Sequence, residues 1–370
     1  MPEFRVINSL HDIEKQQWDV CFPGEVENYD YLLAIEESAL AGFSFRYLTA
    51  WQGSTLQSGT PMFVTDYSLD TTLQGVGRKL TSRIKNAFPK LLTTKLACLG
   101  SPCTEQGAIG FHPRLNEQEK NDLLVEMFAY FETYAAAQAC PLLAAKDIPE
   151  PFQHRFSKQF QAARFSTFPG MPTAWLDIDF TSIDEYLGRL SFSARKDMRR
   201  KLRSFHRLHI EYKIDIKGVL PEIMTLYYDT RNRSEWQFEE LTPGYFQGVL
   251  AHMPERSFCT LYYAEDQLLA ANLLIHDGRT LIDKFFCMNG ERGRQHNLYF
   301  LSWFTNIGYC LERGLTRYQS GQAYYENKLR LGSRLTRNTI YFKHRNCFAQ
   351  GLLRFAAPLL SADDTLKKSA

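Results

Sequence analysis

Residues 281–297, LIDKFFCMNGERGRQHN, hold a dense set of groups able to do chemistry. Asp283 and Lys284 are ionisable residues inside an apolar run, where each is either paired or functional. In a strand their side chains alternate faces, so one of the two is expected to face a cleft. The polar loop that follows carries Gly290, Gly293, Arg292 and Arg294, and a helical pattern starts at Leu298. Strand, basic glycine-containing loop and helix together suit phosphate. Backbone N–H groups at the helix start point outward, the dipole favours an anion, and guanidinium groups add charge. A second basic segment, SFSARKDMRRKLRSFHR at 191–207, reads as a helix with Arg195, Arg199, Arg203 and His206 on one face. Lys196, Arg200 and Arg207 run beside them. That stripe could grip phosphates, a polynucleotide backbone or an anionic acceptor, the alternative being a solvated charged face.

The elements that must position these groups follow from periodicity and turn chemistry. Residues 281–288 are apolar and aromatic between polar turns, which predicts a buried strand. Apolar residues at helical spacing run from Leu298 to Leu311, and Gly314 closes that helix. A short strand at 316–320, a short helix at 323–331 and a last strand at 338–344 complete the stretch. Upstream, 258–264, 267–276 and 280–288 form an antiparallel meander. Residues 44–51 and 59–65 form a hairpin in the first half of the chain. Residues 95–100 read as a strand, and a long helix at 117–139 opens with Asn116 as N-cap and Glu119 at the capping-box position. A strand at 141–145, a helix at 148–161 and a crossing strand at 173–178 follow. Thr181 is expected to cap the next helix. The hairpin and the meander occupy comparable places in the two halves, a weak internal duplication with its boundary near 170–172.

The order hairpin, long strand, loop, helix, strand, then GQAYYENKLRLG resembles the C-terminal half of a GNAT-type N-acyltransferase. It is most similar to the FemAB-like and BioF2-like branch, in which two GNAT-like halves are fused, and Gly321, Lys328 and Gly332 match that branch's glycine, lysine, glycine pattern. The resemblance implies an α+β fold of two tandem GNAT-like halves, each a mixed, mainly antiparallel sheet flanked by helices. The halves would be residues 1–171 and 172–360, with a frayed tail at 361–370. It also implies where the donor lies: along the splayed strand at Phe285, Met288 and Asn289, and at Arg292, Gly293, Arg294, Asn297 and Lys328. Tyr324 and Tyr325 follow the next strand, where such enzymes place a tyrosine as general acid, and Glu326 is a base in reach or a first-turn carboxylate. One of the tyrosines could instead pack in the core. The acceptor would meet Arg195, Arg199, Arg203, Glu235 and Trp236. The loop Glu291–Asn297 departs from the usual GNAT pyrophosphate pattern, so the branch's aminoacyl-tRNA donors stand beside acyl-CoA as the alternative.

Composition bounds the rest. With 370 residues, 44% of them hydrophobic, the chain suits about two domains. No apolar run is long enough to span a bilayer and no secretory pattern opens the chain. The eight cysteines are scattered, without CxxC or zinc spacing, so no metal is expected and a cytoplasmic setting with reduced thiols is. Net charge is +2, yet residues 189–217 and 289–345 each carry ten Lys/Arg against three Asp/Glu. A polyanion-binding cleft on an acidic body fits this better than a protein that coats nucleic acid. No Walker loop, nucleophile elbow or Rossmann fingerprint is present, and Gln74–Lys79 lacks the preceding strand a phosphate loop needs. His112 and His276 read as turn or core residues. The expectation is an acyltransferase moving an acyl group from acyl-CoA, bound as co-substrate (acetyl-CoA in the simplest case), to a primary amine of a small molecule or peptide. Its rivals are an aminoacyl-tRNA-dependent peptidyltransferase, with tRNA as partner, and a non-catalytic binding protein of the same fold.

Overall fold

The computed structural model describes residues 2–68, 93–234 and 238–360. Residues 74–79 and the tail at 361–370 lie outside them. The first part of the chain supplies strands β1 (Glu3–Ile7), β2 (Phe43–Gln52), β3 (Thr55–Ser68), β4 (Thr93–Leu99), β5 (Gly110–Phe111), β6 (Leu142–Pro149) and β7 (Ser166–Pro169). Then come β8 (Thr173–Asp177), β9 (His209–Lys213), β10 (Ser257–Ala264), β11 (Gln267–His276), β12 (Thr280–Met288), β13 (Arg317–Gln319), β14 (Arg334–Thr336) and β15 (Asn338–His344). They form one eight-stranded sheet, ordered β1-β2-β3-β4-β6-β15-β7 with β5 on β3, and one seven-stranded sheet, ordered β14-β8-β13-β12-β11-β10-β9.

Each sheet is built the same way. An antiparallel hairpin feeds a long strand, a helix packs across, and the chain returns parallel to that strand. In the first sheet β4 pairs β3 antiparallel and β6 parallel, with the helix Glu117–Ala137 between. In the second β12 pairs β11 antiparallel and β13 parallel, with the helix Leu298–Arg313 between. These are the α+β, tandem GNAT-like halves the sequence pattern implied. The first sheet also takes a strand from the other side of the 170–172 turn, and the strand directly after that turn lies inside the second sheet. β8 enters the second sheet between β13 and β14, and β15 enters the first between β6 and β7.

Local chemistry explains the helix limits. Asn116 accepts from the Glu119 N–H at 3.0 Å while Glu119 accepts from the Asn116 N–H at 2.7 Å, the reciprocal cap that starts the long helix. Gly314, at φ 68°, ends Leu298–Arg313 in the left-handed conformation. Ser182, one residue after Thr181, caps Ile183–Arg189, and Thr181 instead binds the Glu185 carboxylate. β6 runs to Pro149 and its helix starts at Glu150, slightly later than the pattern suggested. One core lies around Glu117–Ala137 and another around Leu298–Arg313. A third joins early helices to the second sheet, with Trp18, Tyr31, Tyr245 and Ile282 among its buried members. Seven cysteines are buried thiols and Cys347 is exposed. Among the described residues no helix is long and apolar enough to cross a membrane.

Candidate functional site

The parallel pairing of β12 with β13 covers only three positions, Thr280–Arg317, Leu281–Tyr318 and Ile282–Gln319. β12 then continues to Met288 while the other chain turns away, and Ser320 N–H donates to Ala174 O of β8 at 3.1 Å. The fork opens a cavity of about 490 Å³. Its walls come from β12, from the segment after β13, from the helix Leu220–Asn232, and from residues 102–105 of the first half of the chain. A volume of this size suits a small organic ligand.

Both Asp283 and Lys284 line it, although alternation allowed only one. The register explains this: Leu273 pairs Phe285 and Leu274 pairs Asp283, so Lys284 is an extra residue bulged out of the ladder. Lys284 Nζ donates to Glu27 and to Cys103 O (2.9 Å), and sits 4.7 Å from the Tyr31 ring centroid. Asp283 Oδ2 accepts from Asn272 (3.1 Å), Tyr318 (3.1 Å) and Asn306 (3.3 Å). Burial raises its carboxyl to about 6, with those hydrogen bonds and Lys328 opposing.

Lys328 is 3% exposed, and its Nζ donates to the carbonyls of Gly321 (2.6 Å) and Gln322 (3.2 Å). Burial brings its pKa down to about 8 against the pull of Glu105 and Asp283. The turn that presents those carbonyls is strained. Gly321, Ala323 and Tyr324 all have positive φ (81°, 66° and 53°), a cost that non-glycine residues meet where surroundings enforce it. Glu105 enters from the first half. Its Oε2 accepts from Gln319 at 2.9 Å, and burial raises its carboxyl to about 7, partly offset by Lys284 and Lys328. Glu239 also lines the cavity and is raised by burial. Ser320 and Tyr299 are both in the lining, and among the described residues their hydroxyl oxygens are buried without a hydrogen-bond partner.

Of the residues expected at the donor, Phe285, Met288, Arg294 and Lys328 line the cavity. Asn289, Arg292, Gly293 and Asn297 do not, because they are engaged elsewhere. Arg292 binds Gln267 and Glu265 (3.1 Å), Asn297 binds Ser204 (3.1 Å), and Gly293 is packed under Met288. The loop amides are also taken: Gly290 N–H donates to the Asp229 carboxylate at 2.7 Å, and Glu291 and Arg292 N–H donate to Asn289 Oδ1 at 3.2 and 2.9 Å. One of the amides expected to face a phosphate therefore has a carboxylate as its acceptor.

Tyr324 lines the cavity and is exposed. Tyr325 is not at the cavity; it is 6% exposed, and its hydroxyl donates to Pro172 O at 2.8 Å. Glu326 is exposed on the short helix Tyr325–Arg330 and does not line the cavity either. Arg195, Arg199 and Arg203 line a separate shallow groove with Phe192, Lys196 and Arg330, on the helix Phe192–Leu202 and just past it. Glu235 and Trp236 lie outside the described residues. Sequence reasoning missed Glu105, Glu239, Ser320 and Tyr299. Only Glu105 carried a faint signal, as a carboxylate in the short polar loop SPCTEQG directly after a strand.

Comparison with known proteins agrees with this architecture. The chain is similar to the crystal structure of FemX, with a TM-score of 0.60 at 14% identity, covering 93% of this chain and 98% of that one. A tandem GNAT protein from the clavulanic acid biosynthesis pathway matches at 0.55 and 12%, covering 94% and 99%. L-PGS from Bacillus licheniformis matches at 0.53 and 11%, covering 92% and 99%. At such identities the likeness shows the fold. A Mycobacterium tuberculosis protein provisionally named 8-amino-7-oxononanoate synthase 2 is 22% identical over 325 residues, 85% of this chain. The chain spans 41% of that relative's length. A family model described as peptidoglycan biosynthesis/recognition matches residues 9–357. The open fork, the paired halves and this match over nearly the whole chain place the protein in the FemAB-like family, with the tandem GNAT fold.

Proposed function

We propose that the chain transfers an activated acyl group onto a primary amine by direct attack inside the fork between β12 and β13. The observation that carries this is the open fork itself: a cavity floored by Asp283 and Lys328, with Glu105 reaching in from the other half. FemAB-like membership and the tandem GNAT fold support transfer chemistry of the acyltransferase or peptidyltransferase type. The amine nitrogen attacks the donor's ester or thioester carbonyl, a C–N bond forms, and the C–O or C–S bond breaks. The amine's proton passes to a neighbouring base, for which Glu105 and Lys328 have pKa values near 7 and 8. In this reading the hydroxyl of Tyr324, which lines the cavity, protonates the leaving group. In this reading the Ser320 and Tyr299 hydroxyls, buried without a partner among the described residues, are the candidates to donate to the tetrahedral oxyanion.

Acyl-CoA is the first donor to test, and one observation favours a second reading. The loop amides that would hold a diphosphate are already bonded to Asp229 and Asn289, whereas Arg195, Lys196, Arg199 and Arg203 line the separate groove together with Arg200 and Arg330, both paired with Asp197. That pattern suits a donor gripped by side-chain charge, as an aminoacyl-tRNA would be. Thermal shift with CoA, acetyl-CoA, longer acyl-CoAs and aminoacyl-tRNA separates the two. A ligand at a hundred times its Kd adds about 2.7 kcal/mol of stability. A shift with aminoacyl-tRNA alone, steeply lost with salt, selects the second donor. If neither kind of donor yields an amide, the transferase reading fails.

A further inference from the structure

Among the described residues, the two most exposed large apolar side chains sit on one helix, Cys347–Leu360. They are Phe348 at 82% and Phe355 at 81%, with Leu352 at 72% between them. At 3.6 residues per turn these three fall within about 60° of one another around the axis, a single stripe. The opposite face fixes its direction. Asn346 Oδ1 accepts from the Phe348 and Ala349 N–H groups (2.9 and 3.1 Å) where the helix starts, and Gln350 Nε2 donates to Ser166 Oγ at 2.8 Å. Leu353 packs on the cluster that holds Phe63, Leu96 and Leu142. The helix is therefore held to the first sheet by one side and turns both phenylalanines to the outside. An apolar stripe presented this way marks a contact with protein or with lipid.

The charge around the stripe decides between the two. Residues 327–362 contain seven Lys/Arg and no Asp or Glu. Two of the seven border the stripe: Arg354 lies one residue from Phe355, about 100° round the helix, and Arg345 stands just ahead of Cys347. Both are exposed, and among the described residues neither is in an ion pair, whereas Lys343 beside them is bonded to Glu132. A second copy docked through the same stripe would add its own two arginines with no carboxylate on the helix to offset them. An anionic bilayer offsets them and takes the phenylalanines in among its headgroups. At 14 residues the helix suits lying in the interface and is too short to cross it. We propose that the helix Cys347–Leu360 is a docking face for an anionic lipid bilayer, with Phe348, Leu352 and Phe355 seated at headgroup level and Arg345 and Arg354 on lipid phosphates. The inference does not depend on the transfer reading, and a failure to form any amide leaves it standing.

Co-sedimentation of the full chain with vesicles tests this, using phosphatidylcholine and phosphatidylglycerol in equal parts against phosphatidylcholine alone. Saturable partition onto the mixed vesicles is expected, about tenfold or more above that onto the neutral ones. The double variant Phe348→Ser, Phe355→Ser should lose at least about tenfold in partition, and its melting temperature should match the parent's because both side chains already face outward. Arg345→Gln and Arg354→Gln should each cost about fivefold on the mixed vesicles and nothing on the neutral ones. The docking face is overturned if the parent does not partition onto the mixed vesicles. It is equally overturned if the double serine variant stays within about twofold of the parent, since the basic groove at Arg195 and Arg199 would then be what holds the lipid. A lowered melting temperature in that variant, or a parent dimer in sedimentation velocity that the variant dissolves, would show that protein covers the stripe, and would overturn it too.

Discussion

The two forks of this molecule occupy the same place in their sheets and have opposite fates. In the first sheet the last parallel pair is Leu99 with Ala145, and the next residues are Gly100 and Lys146. In the second it is Ile282 with Gln319, followed by Asp283 and Ser320. Lys146 lies across Gly100, so close that a Cβ there would meet its Cγ at 2.8 Å, and its ammonium is bonded to Ser101 O, Thr104 O and Asp147. The first fork is plugged. At the matching position of the second fork a serine leaves its hydroxyl unpaired and the space open. The loop that accepts from Lys146, through Ser101 O and Thr104 O, is the one that carries Glu105 to the open cavity. The fork of the first half is filled by Lys146, and the loop beside it forms a wall of the other half's cavity.

The sharpest way to break this contrast is to pull the plug. Lys146→Ala strands the buried Asp147 carboxylate, so stability in a urea titration should fall by about 3–5 kcal/mol. A loss under about 1 kcal/mol would mean that the lysine does not hold the first fork shut.

A pH series reads the open fork. Glu105 and Asp283 are raised by burial to about 7 and about 6, so between roughly pH 4 and pH 7 the folded chain binds more protons than the unfolded one. Stability should therefore drop as pH rises through that window, by something on the order of 1–3 kcal/mol, visible in Tm. Lys328 acts with the other sign. Its pKa is lowered to about 8, so the unfolded chain binds more protons above that value, and stability should recover as pH rises from about 8 to about 10.

Transplanting the plug sharpens the comparison. Ser320→Lys should fill the second fork, pair with Asp283, and lower the rate of amide formation about tenfold, close to 1.4 kcal/mol, in a protein that still melts cooperatively. The smallest expected effect concerns the loop. Asp229→Asn removes the carboxylate at the Gly290 N–H, and affinity for CoA or pyrophosphate should rise about threefold to tenfold by calorimetry. No gain would show that the carboxylate is not what keeps diphosphate away.

Much of the frame was legible because it is written locally. The Asn116 and Glu119 box, the apolar run of β12, the helix behind it and Gly314 at its end each depend on residues a few positions apart. The site was less legible because it is assembled from distant segments. Asp229 reaches Gly290, and Glu105 reaches Gln319. Period-two alternation gave one of Asp283 and Lys284 to the cleft, but a bulge in the β11–β12 register delivers both. Tyr325 looked as well placed as Tyr324, and only the helix phase sends it to Pro172. That β15 is a strand was plain from its residues; that it crosses into the first sheet has no local cause.

That crossing has a consequence for anyone who would study one half alone. A chain cut after residue 336 loses β15, and the first sheet then falls into two pieces, because β7 reaches β6 only through it. A chain begun after β8 strips β13 and β14 of the strand between them. Each fragment would present bare backbone edges and stick to its neighbours. Neither sheet is whole without strands that such a cut removes, so each half draws its stability from the intact chain.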